Sequence, residues 1–282
     1  FNNVLDTTFK LNRFRDKDGN FDGRALLERT FDTFLVSSLI GGGATVAGGV
    51  AGRQKELMYE RLTPKEYKEQ FLNLSKGIEK GLDILSEIKQ KYDCPVTSDI
   101  HDLSQCELVK EHLDLIQIPA FLCRQTDLIV EAGKTMLPLN IKKGQFLSPW
   151  DVPNIIQKVL STGNKNLLLT ERGTVFGYNN LVSDMRSLPI MKKTGFPVVF
   201  DATHSVQLPG GKGNASNGQY EFVSVLAKAA VTTGISGIFL ETHDNPIKAP
   251  SDGSNMVPLK DLGNLIQSLK LYDNLSKSED FN

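Results

Sequence analysis

Cysteine is scarce in this 282-residue chain, which has only Cys94, Cys106 and Cys123. A small odd number excludes a disulfide framework and points to reduced thiols, buried as small apolar residues in a cytoplasmic protein. An excess of either charge is also lacking: 32 Lys and Arg stand against 33 Asp and Glu, so there is no global basic field to gather nucleic acid. The chain opens at Phe1 without a basic leader, an apolar core and a small-residue cleavage site, so no secretory signal is expected. One stretch lacks charge altogether, TFLVSSLIGGGATVAGGVAG between Asp32 and Arg53. Its length would suit a membrane helix, but its glycines disfavour one. The expectation is a buried strand followed by a glycine-rich loop, with no membrane span.

What is present is a repeated pattern. Six apolar runs end in polar residues: CPVTSDIH, LDLIQIPAF, LPLNIKKGQF, NLLLTERG, PVVFDATHS and GIFLETHDN. Buried parallel strands read as short Val/Ile/Leu runs, and residues just past their C-terminal ends share a mouth. Strands are expected near 95–100, 114–118, 137–142, 166–170, 197–201 and 237–241, with helices near 105–112, 126–134, 151–161, 180–193 and 219–233. The fold class is α/β, a TIM-type (β/α)8 barrel in which strands 3–8 are readable. Strands 1 and 2 must come from residues 1–74. The run Phe34 to Ile40 is a candidate for the first, and no second run is evident. The chain divides into an atypical, glycine-rich segment over 1–74 and a barrel region over 75–282. A helix is expected from Pro64, with Phe71, Leu72, Ile78, Leu82, Leu85 and Ile88 at helical spacing.

Asp18, Asn20, Asp22 and Gly23 have the order that opens a calcium loop, but Arg29 stands where a bidentate carboxylate is needed. An ordinary Asp/Asn/Gly turn is expected there.

The pattern brings Asp99, His101, Gln117, Lys142, Lys143, Glu171, Arg172, Asp201, His204, Glu241 and His243 to one mouth. Lys142 and Arg172 offer a point charge and a planar fork to a small anionic substrate, and Arg124 is a candidate third cation. Lys143 should face the other side of its strand from Lys142. One imidazole and two carboxylates, His204, Glu241 and Asp252, could bind a divalent cation, or handle protons and hydrogen-bond a sugar without one. Asp99 and Gln117 could bind substrate or brace strand ends. His112 is expected at the surface of a charged helix. The loop QLPGGKGNASNGQYEF has the composition of a lid.

Taken together, VTSDIHD, IQIPAFLCRQTD, NIKKGQF, ERGTVFGYNNLVSDMRSLPIMK, FDATHSVQLPGG and ETHDNP followed by SDG resemble the 3-deoxy-D-manno-octulosonate 8-phosphate synthase family, from about Gly77 onward. The resemblance implies a barrel enzyme that condenses phosphoenolpyruvate with arabinose 5-phosphate and releases phosphate, and a homotetramer. It implies Lys142 and Arg172 as phosphoenolpyruvate ligands, and Asp99 and Gln117 as further mouth residues. His204, Glu241 and Asp252 would be metal ligands in metal-dependent members, whose fourth ligand is a Cys in a GPC-type motif. Metal-independent members carry Asn there, and neither version occurs in residues 1–74, so the cofactor is either a divalent metal or none. The family motif resembling FKxSFDKANRSS is likewise without a counterpart. Two alternatives stand beside this reading: a related 3-deoxy-heptulosonate 7-phosphate synthase using erythrose 4-phosphate, and a binding or scaffold protein with impaired catalysis.

Overall fold

A computed structural model describes residues 35–36, 64–209, 217–249 and 251–278, with side chains from residue 77 onward. The Asp18 turn, most of the glycine-rich stretch and residues 210–216 of the expected lid lie outside the described residues.

Strands form where short apolar runs can be buried on both faces. They are β1 (Leu35–Val36), β2 (Thr97–Asp99), β3 (Leu115–Ile118), β4 (Leu139–Lys142), β5 (Leu167–Glu171), β8 (Val198–Asp201) and β11 (Gly237–Leu240). Every residue of β3, β4, β8 and β11 is buried, as expected of a parallel sheet covered by helices. The seven strands form one sheet in the order β1-β11-β8-β5-β4-β3-β2, and each pairing is parallel. The six runs read from the sequence are therefore all strands, in chain order around the sheet. Leu35 and Val36, inside the run proposed for strand 1, pair with Phe239 and Leu240. This is the order of a (β/α)8 barrel. Among the described residues, no strand fills the place between β1 and β2.

Helices cover the sheet: α1 (Pro64–Tyr92), α2 (Gln105–Lys110), α3 (Thr126–Lys134), α4 (Val152–Leu160), α5 (Ser187–Lys192), α6 (Val223–Val231) and α7 (Leu259–Ser276). In α4 the buried residues are Val152, Ile155, Ile156 and Val159, the spacing that places one apolar stripe against a sheet. No described helix is long and apolar enough to cross a membrane. Cys106 and Cys123 are buried, and all three cysteines are free. Burial pushes the Cys106 thiol up to about 11, so it packs as a neutral group.

Two expectations need correction. Residues 180–186 are not helical: β6 (Thr174–Val175) and β7 (Leu181–Val182) pair as an antiparallel hairpin. Gly177 (φ +77°) and Asn179 (φ +54°) supply the left-handed backbone of its turn. His112 is not a free surface group. It is half-buried in the turn after α2, and its Nδ1 lies 2.9 Å from Ser86 Oγ on α1.

Candidate active site at the strand ends

Successive side chains on a strand point to opposite faces, so residues two apart share a side. On β4 this puts Asn140 and Lys142 together and turns Lys143 away. Thr170 and Arg172 share a side at the end of β5, and Glu171 faces the other. The contacts follow that division. Lys142 Nζ is 2.9 Å from Asp201 Oδ2 and lies over the Phe239 ring, 3.7 Å from its centroid. Lys143 Nζ instead lies 3.5 Å from Glu171 Oε1 and donates to the carbonyls of Gly144 and Leu147. Lys143 and Glu171 are thus a buried pair, separate from the cluster around Lys142. Glu171 Oε1 also accepts from the backbone N–H groups of Arg172 and Gly173. Gly173 takes φ +90°, where glycine avoids the strain of a side chain.

Asp201, at the end of β8, is fully buried and organises the centre. It receives Lys142, the backbone N–H of His204 at 2.9 Å, and His204 Nδ1 at 2.8 Å. Burial alone would raise its carboxyl. The charges of His204 and Lys142 outweigh that and hold it far below the usual carboxylate range. His204 is pulled down by burial and by Lys142, but Asp201 and Glu241 prevail and raise it above its ordinary value. Glu241 is raised by burial, against the opposing pull of His204 and Lys142.

With Nδ1 committed to Asp201, His204 turns Nε2 to the mouth, 3.6 Å from Glu241 Oε1. Ligand atoms of His204, Glu241 and Asp252 all lie within 4.8 Å of one another. A carboxylate behind a histidine is the usual support of a metal-bound imidazole, so these residues fit a divalent ion. Cys94, Cys106 and Cys123 are not in the group. Asp252 adopts φ +53°, a conformation that Asp tolerates better than most residues.

Arg172 is buried. Its Nη2 donates to His204 O at 3.2 Å and to Gln207 Oε1 at 2.8 Å, and its Nε has no partner. Burial lowers its pKa, while Asp201 and Asp252 pull the other way. A buried fork with one idle N–H beside a buried lysine can receive a small dianion.

Asp99 and Gln117 belong to a row that crosses four strands. Thr170 Oγ1 donates to Asn140 Oδ1 at 2.6 Å, Asn140 Nδ2 donates to Gln117 Oε1 at 2.9 Å, and Gln117 Nε2 donates to Asp99 Oδ1. Every donor points toward β2, and the row ends on a carboxylate that can only accept.

Three expected mouth residues stand apart. The Arg124 side chain is exposed and its carbonyl accepts from Lys158 Nζ. His101 is exposed, with its backbone N–H on Gln105 Oε1. His243 Nδ1 accepts from the Asn245 N–H and lies 2.7 Å from Asp244. The His101 and His243 contacts named here are with residues one to four positions away, whereas the Arg124 carbonyl is reached from Lys158, 34 residues on. The sequence reading missed Gln207, Asn140 and Thr170 as site residues. A polar residue between apolar neighbours, such as Asn140 between Leu139 and Ile141, was the available signal.

The sequence profile of the DAHP synthetase I family matches residues 75–277. Curated proteins called 2-dehydro-3-deoxyphosphooctonate aldolase are similar over stretches of about the same length. The one from Bartonella tribocorum is 58% identical over 201 residues, covering 71% of this chain and 72% of that protein. The Geobacter sulfurreducens protein is 60% identical over 201 residues, covering 71% and 74%, and the Granulibacter bethesdensis protein is 56% identical over 202 residues, covering 72% of each. With a barrel sheet, a cluster of cations and carboxylates at its strand ends, and a family match across both, this chain belongs to the DAHP synthetase I family.

Proposed function

We infer that this chain is an enzyme of the 2-dehydro-3-deoxyphosphooctonate aldolase type, which condenses phosphoenolpyruvate with arabinose 5-phosphate in sugar biosynthesis. The observations that carry this reading are that the chain is 56–60% identical to such relatives over 201–202 residues and that Lys142, Arg172, His204, Glu241 and Asp252 all fall inside residues 75–277, which the family profile matches. Their geometry suits the chemistry. Lys142 and Arg172 place two cations where a phosphate and a carboxylate on one small enol can be held, and fixed charges in a buried site need no reorganisation as the reaction proceeds. Carbon 3 of the enol bonds to the sugar aldehyde carbon, whose oxygen takes a proton. Water adds at carbon 2, and the resulting hemiketal phosphate expels inorganic phosphate.

His204, braced by Asp201, and Glu241, whose carboxyl is raised toward neutrality, are placed to hold and pass the protons of these steps. Asp99, fixed by the polar row, offers an acceptor to sugar hydroxyls. A divalent ion held by His204, Glu241 and Asp252 would act as a Lewis acid there. The protein works as a cytoplasmic homo-oligomer in this reading. Phosphate release from phosphoenolpyruvate, measured separately with arabinose 5-phosphate and erythrose 4-phosphate, is the test. Turnover with the five-carbon sugar is expected; turnover with only the four-carbon sugar, or with neither, overturns the assignment.

A further inference from the structure

Gln207 is half-buried just past the 3-10 turn His204–Val206, in the short strand β9 (Gln207–Leu208). Its side-chain amide touches two charged groups of opposite sign. Oε1 accepts from Arg172 Nη2 at 2.8 Å, and Nε2 donates to Asp252 Oδ1 at 2.9 Å. The strand is itself fixed, because β9 pairs with β10 (Asn217–Gly218) in the register Gln207↔Gly218 and Leu208↔Asn217. Gly218 lies flush against Asn255, since a Cβ there would fall 1.3 Å from Asn255 Oδ1. Asn255 is fully buried, and its backbone N–H donates to Asp252 O at 2.8 Å. The amide and the loop bearing Asp252 are thus held against each other from two directions.

We propose that Gln207 is a positioning residue that keeps Arg172 and Asp252 in register but apart, coupling the anion-binding side of the site to the carboxylate side. This rests on the function inferred above for its effect on substrate, though not for the coupling itself. The physical reason lies in the shape of an amide. Its oxygen faces the cation and its nitrogen faces the anion, so both charges gain a hydrogen bond while neither is neutralised by the other. Without the spacer, a buried guanidinium and a carboxylate on a neighbouring loop attract each other strongly. A closed Arg172–Asp252 pair would withdraw the fork from an incoming anion. Leucine has nearly the volume of glutamine but neither polar atom. Glutamate keeps the acceptor for Arg172 while placing a second negative charge against Asp252.

The test uses the full chain with Gln207→Leu, Gln207→Glu and Asp252→Asn. Calorimetry with phosphoenolpyruvate should show an affinity loss of about tenfold or more in Gln207→Leu, the size expected for a lost charge-assisted hydrogen bond, with an unchanged melting temperature. A second readout follows the guanidinium nitrogen resonances of Arg172 without any ligand. Asp252→Asn should shift them modestly when Gln207 is present and clearly more in the Gln207→Leu background, where the two charges can close into a direct pair. Wild-type affinity in Gln207→Leu together with an equal resonance shift in both backgrounds overturns the proposal. If the unaltered chain binds no phosphoenolpyruvate, the inferred function fails, and the resonance experiment alone decides the coupling. If Gln207→Leu does not fold, Gln207→Glu carries the same two measurements, and unchanged values there overturn the proposal.

Discussion

His204 Nδ1 and Asp201 Oδ2 lie 2.8 Å apart, and the same carboxylate oxygen lies 2.9 Å from Lys142 Nζ. One buried anion therefore sets the orientation of the imidazole and the position of the lysine, so its loss should be felt by both.

Asp201→Asn should lower the pKa of His204, because burial and Lys142 would then act against a weaker opposing pull. The histidine is raised in the folded protein, so its stabilising contribution is complete below about pH 6.5 and disappears as pH rises through the folded value. Asp201 is depressed, so its contribution is present above its ordinary value and is lost in acid. Glu241, raised by burial, also favours the acid side of neutrality. Stability of the unaltered chain should thus be greatest in mildly acidic solution and decline above about pH 6.5, and the variant should lose most of that decline. Titration of the His204 ring by NMR, beside denaturant unfolding at several pH values, checks both; an unmoved His204 titration would contradict the assigned contact.

Arg172→Lys keeps the charge and removes the fork. Phosphoenolpyruvate affinity should fall at least about tenfold, since a point charge cannot reproduce paired donors, while the melting temperature changes little. Calorimetry and thermal unfolding measure the two effects, and equal affinity in both proteins would remove Arg172 from the anion site.

Asn140→Leu cuts the row from Thr170 to Asp99 and leaves Gln117 Oε1 buried without its donor. A loss of about 1–3 kcal/mol is expected from an orphaned polar group. The catalytic consequence should appear as a raised KM for the sugar with phosphoenolpyruvate binding preserved. An unchanged urea midpoint and sugar KM would show that the row positions nothing.

His204, Glu241 and Asp252 form a three-residue donor group, and a closed structural site commonly needs four ligands. A divalent ion should accordingly be held weakly, and dialysis against chelator should leave the melting temperature unchanged. Elemental analysis showing one ion per chain after that dialysis would mean a further ligand completes the site.

The sequence by itself determined the strands and most helices, because burial in a parallel sheet leaves a short, local apolar signature: LIQI, VVFD and GIFL are legible without any partner. It also placed Lys142, Arg172, His204 and Glu241 at strand ends, since position along a strand is a local property. The helix expected from residue 180 failed because the Gly177 and Asn179 turn dominates that segment. Tertiary structure alone decided which charges meet. Lys142 found Asp201 and Lys143 found Glu171 because the pleat sends adjacent lysines to opposite faces and the register sets what waits there. Gln207 met Arg172, 35 residues away, and Asp252, 45 residues away. A hydrogen bond depends on distances of a few tenths of an ångström, and only the folded arrangement of strand ends and loops fixes those.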